Sequence, residues 1–119
     1  MKTLIIGAST KPERYAFKAA NALLGKNHEI VLVGIRAGEV AGNEILLGLP
    51  EIKDVDTVTL YVGPKNQVGY YDYIVDVIKP RRIIFNPGTE NQELESLAQS
   101  KGILTEVACT LVLLSIGNY

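Results

Sequence analysis

Short apolar runs, mostly of β-branched residues, alternate along this chain with segments in which apolar residues recur every three or four positions. The short runs have the composition of strands that are buried on both faces of a parallel sheet. They predict strands at 3–6, 29–34, 56–62, 82–85 and 104–107, with a short edge strand near 44–47. The helical spacing of Ala16, Ala19, Ala20, Leu23 and Leu24 predicts a helix between the first two strands.

Residues that favour helix ends divide these segments. The sequence Thr10-Lys11-Pro12-Glu13 is a capping box with proline in the first turn. It predicts that the first helix begins there and closes at Gly25. Further helices are predicted at 66–78 after Gly63-Pro64, at 89–100 after a second capping box, and at 110–116.

Strands that alternate with helices through short turns are typical of an α/β fold. We therefore expect a single domain over residues 1–119, with a three-layer, doubly wound, Rossmann-like and mostly parallel sheet. Such sheets bind ligands at the exits of their strands, the segments that follow the carboxyl ends, where Gly or Pro allows sharp turns. The exits here are 7–14, 34–36, 63–65, 86–89 and 108–110, and Asn86-Pro87-Gly88 suits a type II turn.

The composition limits the classes of protein that fit. A chain of 119 residues with 47% hydrophobic and 21% charged residues is long enough for a core of its own. The net charge of −1 gives no overall attraction to nucleic acid or to anionic lipid, so we expect neither as a partner. One cysteine, the lack of a signal-peptide pattern and the lack of a membrane-length apolar run favour a cytoplasmic protein.

The candidate phosphate site is the turn between the first strand and the first helix. The residues Gly7–Thr10 place backbone N–H groups and hydroxyls near a helix start, where anions bind readily. Lys11 and Arg14 add positive charge, and Tyr15 is the aromatic residue best placed for ligand contact. The G-x-G-x-x-G motif of dinucleotide sites is incomplete, since Ser9 stands where its second glycine would be. A tight turn without a ligand would also account for this stretch.

Arg36 follows the second strand, at the position where NAD-binding domains usually carry a carboxylate for the ribose hydroxyls. An arginine there suits a ribose-attached phosphate, which argues against NAD and FAD. It is compatible with NADP and with coenzyme A, whose ribose carries a 3′-phosphate. A solvated loop arginine is the other interpretation of this residue.

Chemistry beyond binding depends on one residue. Cys109 lies between the last strand and the last helix, where a helix start can activate a thiol, although a lone cysteine is more often a small buried apolar residue. His28 and the basic turn around Arg81 and Arg82 lie at the opposite edge of the sheet, and we expect them to be solvated. The sequence shows no cluster of metal ligands and no Ser–His–Asp arrangement.

With these residues in view, the chain resembles the small stand-alone CoA-binding domain family, which is related to the amino-terminal domain of the succinyl-CoA synthetase alpha subunit. The resemblance rests on stretches in the same order over nearly the whole chain. They are Ile6-Gly7-Ala8-Ser9 with Pro12-x-Arg14-Tyr15, Val33-Gly34-x-Arg36, Thr57 to Tyr61 with Gly63-Pro64-Lys65-Asn66, Phe85 to Glu90, and Ala108 to Leu111.

This resemblance implies a domain that binds coenzyme A, with the pyrophosphate on the loop 7–10 near Arg14 or Tyr15. It implies that Arg36 lies near the ribose phosphate and that the exits at 63–64 and 86–88 lie along the pantetheine. The implied cofactor-binding residues are Gly7, Ala8, Ser9, Thr10, Arg14, Tyr15, Gly34, Arg36, Gly63, Pro64, Asn86, Pro87 and Gly88. The synthetase domain that carries a phosphorylated histidine has no counterpart in this sequence, so we expect no ligase activity.

We therefore expect a non-catalytic module that binds coenzyme A or an acyl-CoA, as a sensor, a carrier or a subunit. The alternatives are an NADP-type dinucleotide-binding module and a small thiol-dependent redox or acyl-transfer protein that uses Cys109. A homodimer or a partner subunit could complete the site.

Overall fold

The six predicted strands and one further strand form a seven-stranded sheet in the computed structural model, which describes residues 1–119. The strands are β1 (Lys2–Ile6), β2 (Glu29–Val33), β3 (Glu39–Val40), β4 (Asn43–Leu46), β5 (Thr57–Leu60), β6 (Arg82–Phe85) and β7 (Leu104–Val107). Their order across the sheet is β3-β4-β2-β1-β5-β6-β7, and only the pair β3–β4 is antiparallel. Without β3 this is the strand order of a Rossmann fold, so the predicted doubly wound α/β class is confirmed.

The helices are α1 (Tyr15–Gly25), α2 (Pro64–Gln67), α3 (Gln92–Ser100) and α4 (Thr110–Ser115). α1 and α4 pack on one face of the sheet, while α3 and the segment that follows α2 cover the other face. Because successive side chains of a strand point to opposite faces, β1 supplies both cores: Ile5 faces α1, and Leu4 and Ile6 face α3. No helix is long and apolar enough to span a membrane.

The sheet contains one strand that the sequence pattern did not predict. β3 has only two residues, too few for a visible alternation, and it pairs with β4 through Glu39–Glu44 and Val40–Asn43. The strand predicted at the edge, β4, is therefore an inner strand that also pairs with β2.

The helix predicted at 66–78 has a different conformation from the one expected. Pro64 does open α2, at its first helical position, but the α-helix ends at Gln67. A 3-10 turn (Val68–Tyr70) and a π-helical segment (Tyr73–Ile78) follow. The wider π turn places Tyr73 and Ile78, five residues apart, on one face, and both are buried.

The first predicted capping box is wrong. α1 begins at Tyr15 and its N-cap is Arg14, without a side-chain hydrogen bond. The hydroxyl of Ser9 accepts from the Lys11 N–H at 3.1 Å, and the Arg14 N–H donates to the Lys11 carbonyl at 3.0 Å. These local bonds compete with helix formation, so turns rather than helix follow β1.

The second predicted capping box is also wrong. The N-cap of α3 is Asn91, whose Oδ1 accepts from the Leu94 N–H at 3.1 Å. Thr89 lies two residues before this cap, and its hydroxyl donates to the Asn86 carbonyl at 2.8 Å. The turn after β6 thus uses the hydroxyl that the pattern assigned to the helix.

Arg82, expected in a solvated turn, is the first residue of β6 and is 7% exposed. Its guanidinium donates to the Thr57 hydroxyl at 3.2 Å, pairs with Glu106 at 3.4 Å and lies 4.6 Å from the centre of the Tyr119 ring. These partners compensate the burial of its charge.

Candidate functional site

The exits of β1, β2, β5 and β6 converge on one cleft of about 910 Å³. The cleft lies where the chain order reverses, since β2 is on one side of β1 and β5 is on the other. This is the switch point at which doubly wound sheets bind their ligands. The lining residues are 7–11, 14–16, 34–37, 61–63 and 87–89, with Ile45, Asn66 and Tyr70.

Three basic side chains and no acidic side chain line the cleft. Lys11, Arg14 and Arg36 are all exposed, and none of them forms an ion pair within the protein. Positive groups without a carboxylate partner favour an anionic ligand. We call the part of the cleft formed by residues 7–16 and 34–36 its basic side.

The loop 7–10 divides its backbone N–H groups between the protein and the cleft. The N–H groups of Gly7 and Ala8 both donate to the Val33 carbonyl, at N–O distances of 2.9 and 3.0 Å. The N–H groups of Ser9 and Thr10 have no acceptor in the protein. The donors that an anion can meet are therefore those of Ser9 and Thr10, and not the whole run from Gly7.

Gly7 has a backbone conformation that other residues rarely adopt. Its φ is +96°, and a Cβ at this position would lie 2.9 Å from the carbonyl carbon and oxygen of Tyr61. A side chain at residue 7 would therefore separate the exits of β1 and β5.

The amino end of α1 reaches the cleft through Tyr15 and Ala16. Tyr15 is 65% exposed, and the Lys18 ammonium lies 5.2 Å from the centre of its ring. The N–H groups of the first helical turn lack partners in any α-helix, so this end adds to the positive potential of the basic side.

The exit of β2 presents one apolar and one basic side chain to the cleft. The Gly34 N–H donates to the Leu46 carbonyl at 3.0 Å, which ties this exit to the end of β4. Ile35 is 85% exposed and Arg36 follows it. An aliphatic surface beside a cation suits a flat ring that carries a phosphate nearby.

The exits of β5 and β6 form the opposite wall, which carries no charged residue. We call Val62, Gly63, Pro87, Gly88 and Thr89 the uncharged side of the cleft. The predicted type II turn is confirmed, because Gly88 has a φ of +89° and the Thr89 N–H donates to the Asn86 carbonyl at 2.9 Å.

Tyr61 lines the cleft, but its hydroxyl is enclosed and has no hydrogen-bond partner in the protein. Burial raises the pKa of Tyr61 to about 12, and the nearby hydroxyls of Thr110 and Thr59 oppose that shift. The phenol is therefore neutral at physiological pH.

Two of the predicted binding residues do not line the cleft. Pro64 is exposed at the start of α2, while Asn86 is 2% exposed. The Asn86 amide donates to Thr59 Oγ1 at 2.6 Å and to the Leu60 carbonyl at 2.8 Å, and its Oδ1 accepts from the Thr110 N–H at 2.8 Å. Asn86 thus joins β5, β6 and α4 from within. The other predicted binding residues all line the cleft.

Cys109 lies at the N-cap of α4, is half-buried and is not among the lining residues. Several lining residues were not among the predicted binding residues: Ile35, Ile45, Val62, Tyr70 and Thr89. Ile35 and Thr89 lie within the predicted exits 34–36 and 86–89, whereas Val62 falls at the end of the strand predicted at 56–62. No sequence signal marks Ile45 or Tyr70, which tertiary packing brings to the cleft.

Known proteins resemble this chain in sequence and in fold. A family model described as CoA binding domain matches residues 1–115. A crystal structure of an uncharacterized protein is 50% identical, with a TM-score of 0.97 over 99% of this chain and 97% of that one. No match was found among curated proteins.

Two archaeal structures are more distant. A hypothetical protein from Pyrococcus horikoshii OT3 is 27% identical, with a TM-score of 0.82 over 92% of this chain and 78% of that one. A conserved hypothetical protein from Pyrococcus furiosus is 26% identical, with a TM-score of 0.78 over 88% of this chain and 90% of that one.

Proposed function

The chain belongs to the CoA binding domain family, and on that premise we propose that its cleft binds coenzyme A or an acyl-CoA. The observation that carries the proposal is the lining of the cleft by Lys11, Arg14 and Arg36 without any acidic residue. Coenzyme A carries a pyrophosphate and a ribose 3′-phosphate, so its charge is complementary to this lining. The protein then acts as a non-catalytic binding, sensor or carrier module.

The phosphates belong on the basic side of the cleft. The free N–H groups of Ser9 and Thr10, with Lys11 and Arg14 beside them, suit the pyrophosphate. Arg36 suits the ribose 3′-phosphate, because it is a separate cation at the exit of the neighbouring strand β2.

The pantetheine arm belongs on the uncharged side. This arm carries amides, a hydroxyl and a thiol but no charge, and Val62, Gly63 and residues 87–89 present backbone and apolar groups. An elongated ligand that is anionic at one end and neutral at the other matches a cleft divided in the same way.

NADP is the second candidate ligand, because its ribose 2′-phosphate would also suit Arg36. Membership of the family favours coenzyme A over NADP, and the melting-temperature screen described next distinguishes the two ligands. Cys109 has no part in the proposal, since it lies outside the residues that line the cleft.

A melting-temperature screen with coenzyme A, dephospho-CoA, NADP and NAD tests the proposal. A ligand at about 100 times its dissociation constant adds roughly 2.7 kcal/mol, which raises the melting temperature of a domain of this size by several degrees. We expect the largest increase with coenzyme A, a smaller one with dephospho-CoA and none with NAD. An increase with NADP but not with coenzyme A would contradict the proposal.

A further inference from the structure

Gln67 connects the two strand exits that form the uncharged side of the cleft. Its Nε2 donates to the Val62 carbonyl and to the Thr89 carbonyl, both at 2.8 Å. Val62 follows β5 and Thr89 ends the turn after β6, and both line the cleft. The Gln67 side chain itself is fully buried behind this wall.

Backbone hydrogen bonds of the sheet do not join the two exits beyond the ends of β5 and β6. The last pair in the register of β5 and β6 is Leu60 with Phe85, after which one chain enters α2 and the other forms the turn 86–89. The separation of the two backbones beyond that pair is therefore fixed by side chains, and Gln67 bonds to both.

Asn91 fixes the direction in which the Gln67 amide faces. Asn91 Nδ2 donates to Gln67 Oε1 at 2.9 Å and to the Tyr71 hydroxyl at 2.9 Å, while Asn91 Oδ1 caps α3. A carbonyl oxygen cannot donate, so an inverted Gln67 amide would set its oxygen against two carbonyls. Gln67 is thus a rigid link in a single orientation.

We propose that Gln67 is a positioning residue that sets the separation of the β5 and β6 exits and thereby determines the affinity for the pantetheine part of the ligand. The inference rests on the proposed function, because it requires that part to lie on the uncharged side. The basic side is built from the loop 7–10, the start of α1 and Arg36, and the Gln67 amide bonds to none of them. Loss of the link therefore weakens the binding of ligands that carry pantetheine and leaves the binding of ligands that lack it unchanged.

Titration calorimetry with coenzyme A and with adenosine 3′,5′-bisphosphate, which lacks pantetheine, tests this inference. Gln67→Met keeps the length of the side chain and removes both donors. We expect it to lower the affinity for coenzyme A about tenfold, which is the order of effect of a lost buried hydrogen-bonding group. The affinity for the bisphosphate should stay within about twofold of the wild-type value. The matched control is Gln99→Met, because the Gln99 side chain bonds only to Glu95 and Thr105; it should change neither affinity.

Asn91→Asp provides a second variant if Gln67→Met does not fold. The aspartate keeps the acceptor that caps α3 but removes the donor to Gln67 Oε1, so the Gln67 amide loses its fixed orientation. We expect the same selective loss for coenzyme A. Equal losses for both ligands, or wild-type affinity for coenzyme A in both variants, would overturn the inference. A wild-type protein that binds no coenzyme A would instead overturn the proposed function.

Discussion

The backbone at Gly34 closely approaches the carbonyl of Ala8: a Cβ at residue 34 would lie 2.7 Å from the Ala8 oxygen. Gly34 follows β2 and Ala8 follows β1, so this contact sets the distance between the two exits that build the basic side. The requirement for glycine here is spatial, since no side chain can enter without moving the loop 7–10.

Gly34→Ala should therefore displace the loop that holds the free N–H groups of Ser9 and Thr10. We expect a loss of about 2 kcal/mol in the free energy of unfolding from overpacking, together with weaker binding of coenzyme A. The matched control is Gly25→Ala, because a Cβ at Gly25 meets nothing within 4 Å and Gly25 ends α1 away from the residues that line the cleft. Urea denaturation and calorimetry on both variants give the comparison, and equal effects of the two substitutions would contradict the argument.

Arg36→Ala should lower the affinity for coenzyme A and leave that for dephospho-CoA nearly unchanged. The reason is that only coenzyme A carries the 3′-phosphate assigned to this guanidinium. We expect about a tenfold loss, since the group is exposed and screened by salt. Lys26→Ala, which removes a positive charge at the far end of α1, serves as the control in the same titrations. If the Arg36 variant loses affinity for both ligands alike, the assignment of the 3′-phosphate is wrong.

Tyr61→Phe should stabilise the protein by about 1 kcal/mol near neutral pH, because it removes a buried hydroxyl that has no partner in the protein. Burial raises the pKa of Tyr61 from 10.0 to about 12. Titration of Tyr61 therefore leaves the stability of the wild-type protein unchanged below pH 10 and lowers it as the pH rises toward 12, and the phenylalanine variant should lack that decrease.

Tyr73→Phe is the matched control for this prediction. Burial also raises the pKa of Tyr73 to about 12, but its hydroxyl donates to the Pro50 carbonyl at 2.5 Å. Its removal should destabilise the protein at neutral pH. Urea denaturation near pH 7 and at alkaline pH measures both variants, and a destabilised Tyr61→Phe would show that its hydroxyl is hydrogen-bonded in solution.

Asn86→Ala should cost about 3 kcal/mol in the free energy of unfolding, because it leaves the Leu60 carbonyl and the Thr110 N–H buried without their partner. The exposed Asn118 offers a control, since Asn118→Ala removes the same group from the surface. Denaturant unfolding of the two variants tests this. Stability of the Asn86 variant close to wild type would show that these buried hydrogen bonds contribute little to the free energy of unfolding.

The sequence predicted the strands well because burial on both faces of a parallel sheet leaves continuous apolar runs. Five runs, including 3–6 and 82–85, fall on β1, β2, β5, β6 and β7. Because parallel strands end at the same edge of the sheet, the strand predictions also located the exits. Most of the predicted binding residues lie in those exits. Arg36 and Gly88 were predicted in this way, and both line the cleft.

The starts of α1 and α3 could not be predicted because a hydroxyl near a helix has several possible partners. The Thr89 hydroxyl donates to Asn86 within the turn after β6, and Asn91 caps α3 instead. α1 begins at Tyr15, five residues after Thr10, so the first capping box does not form either. Asn86 illustrates the same limit: its position after β6 suggested ligand contact, but its amide is satisfied inside the protein.

By itself, the sequence determined the order of strands and helices, the glycine-bearing exits and the presence of basic residues beside them. These features depend on local composition and on the burial of each segment. The tertiary structure alone decided which N–H groups of the loop 7–10 remain free, and that Gln67 joins Val62 to Thr89. Both depend on hydrogen bonds between residues more than twenty positions apart, such as the bond between Gln67 and Thr89. The partner in such a bond is fixed only when packing has brought the two strand exits together.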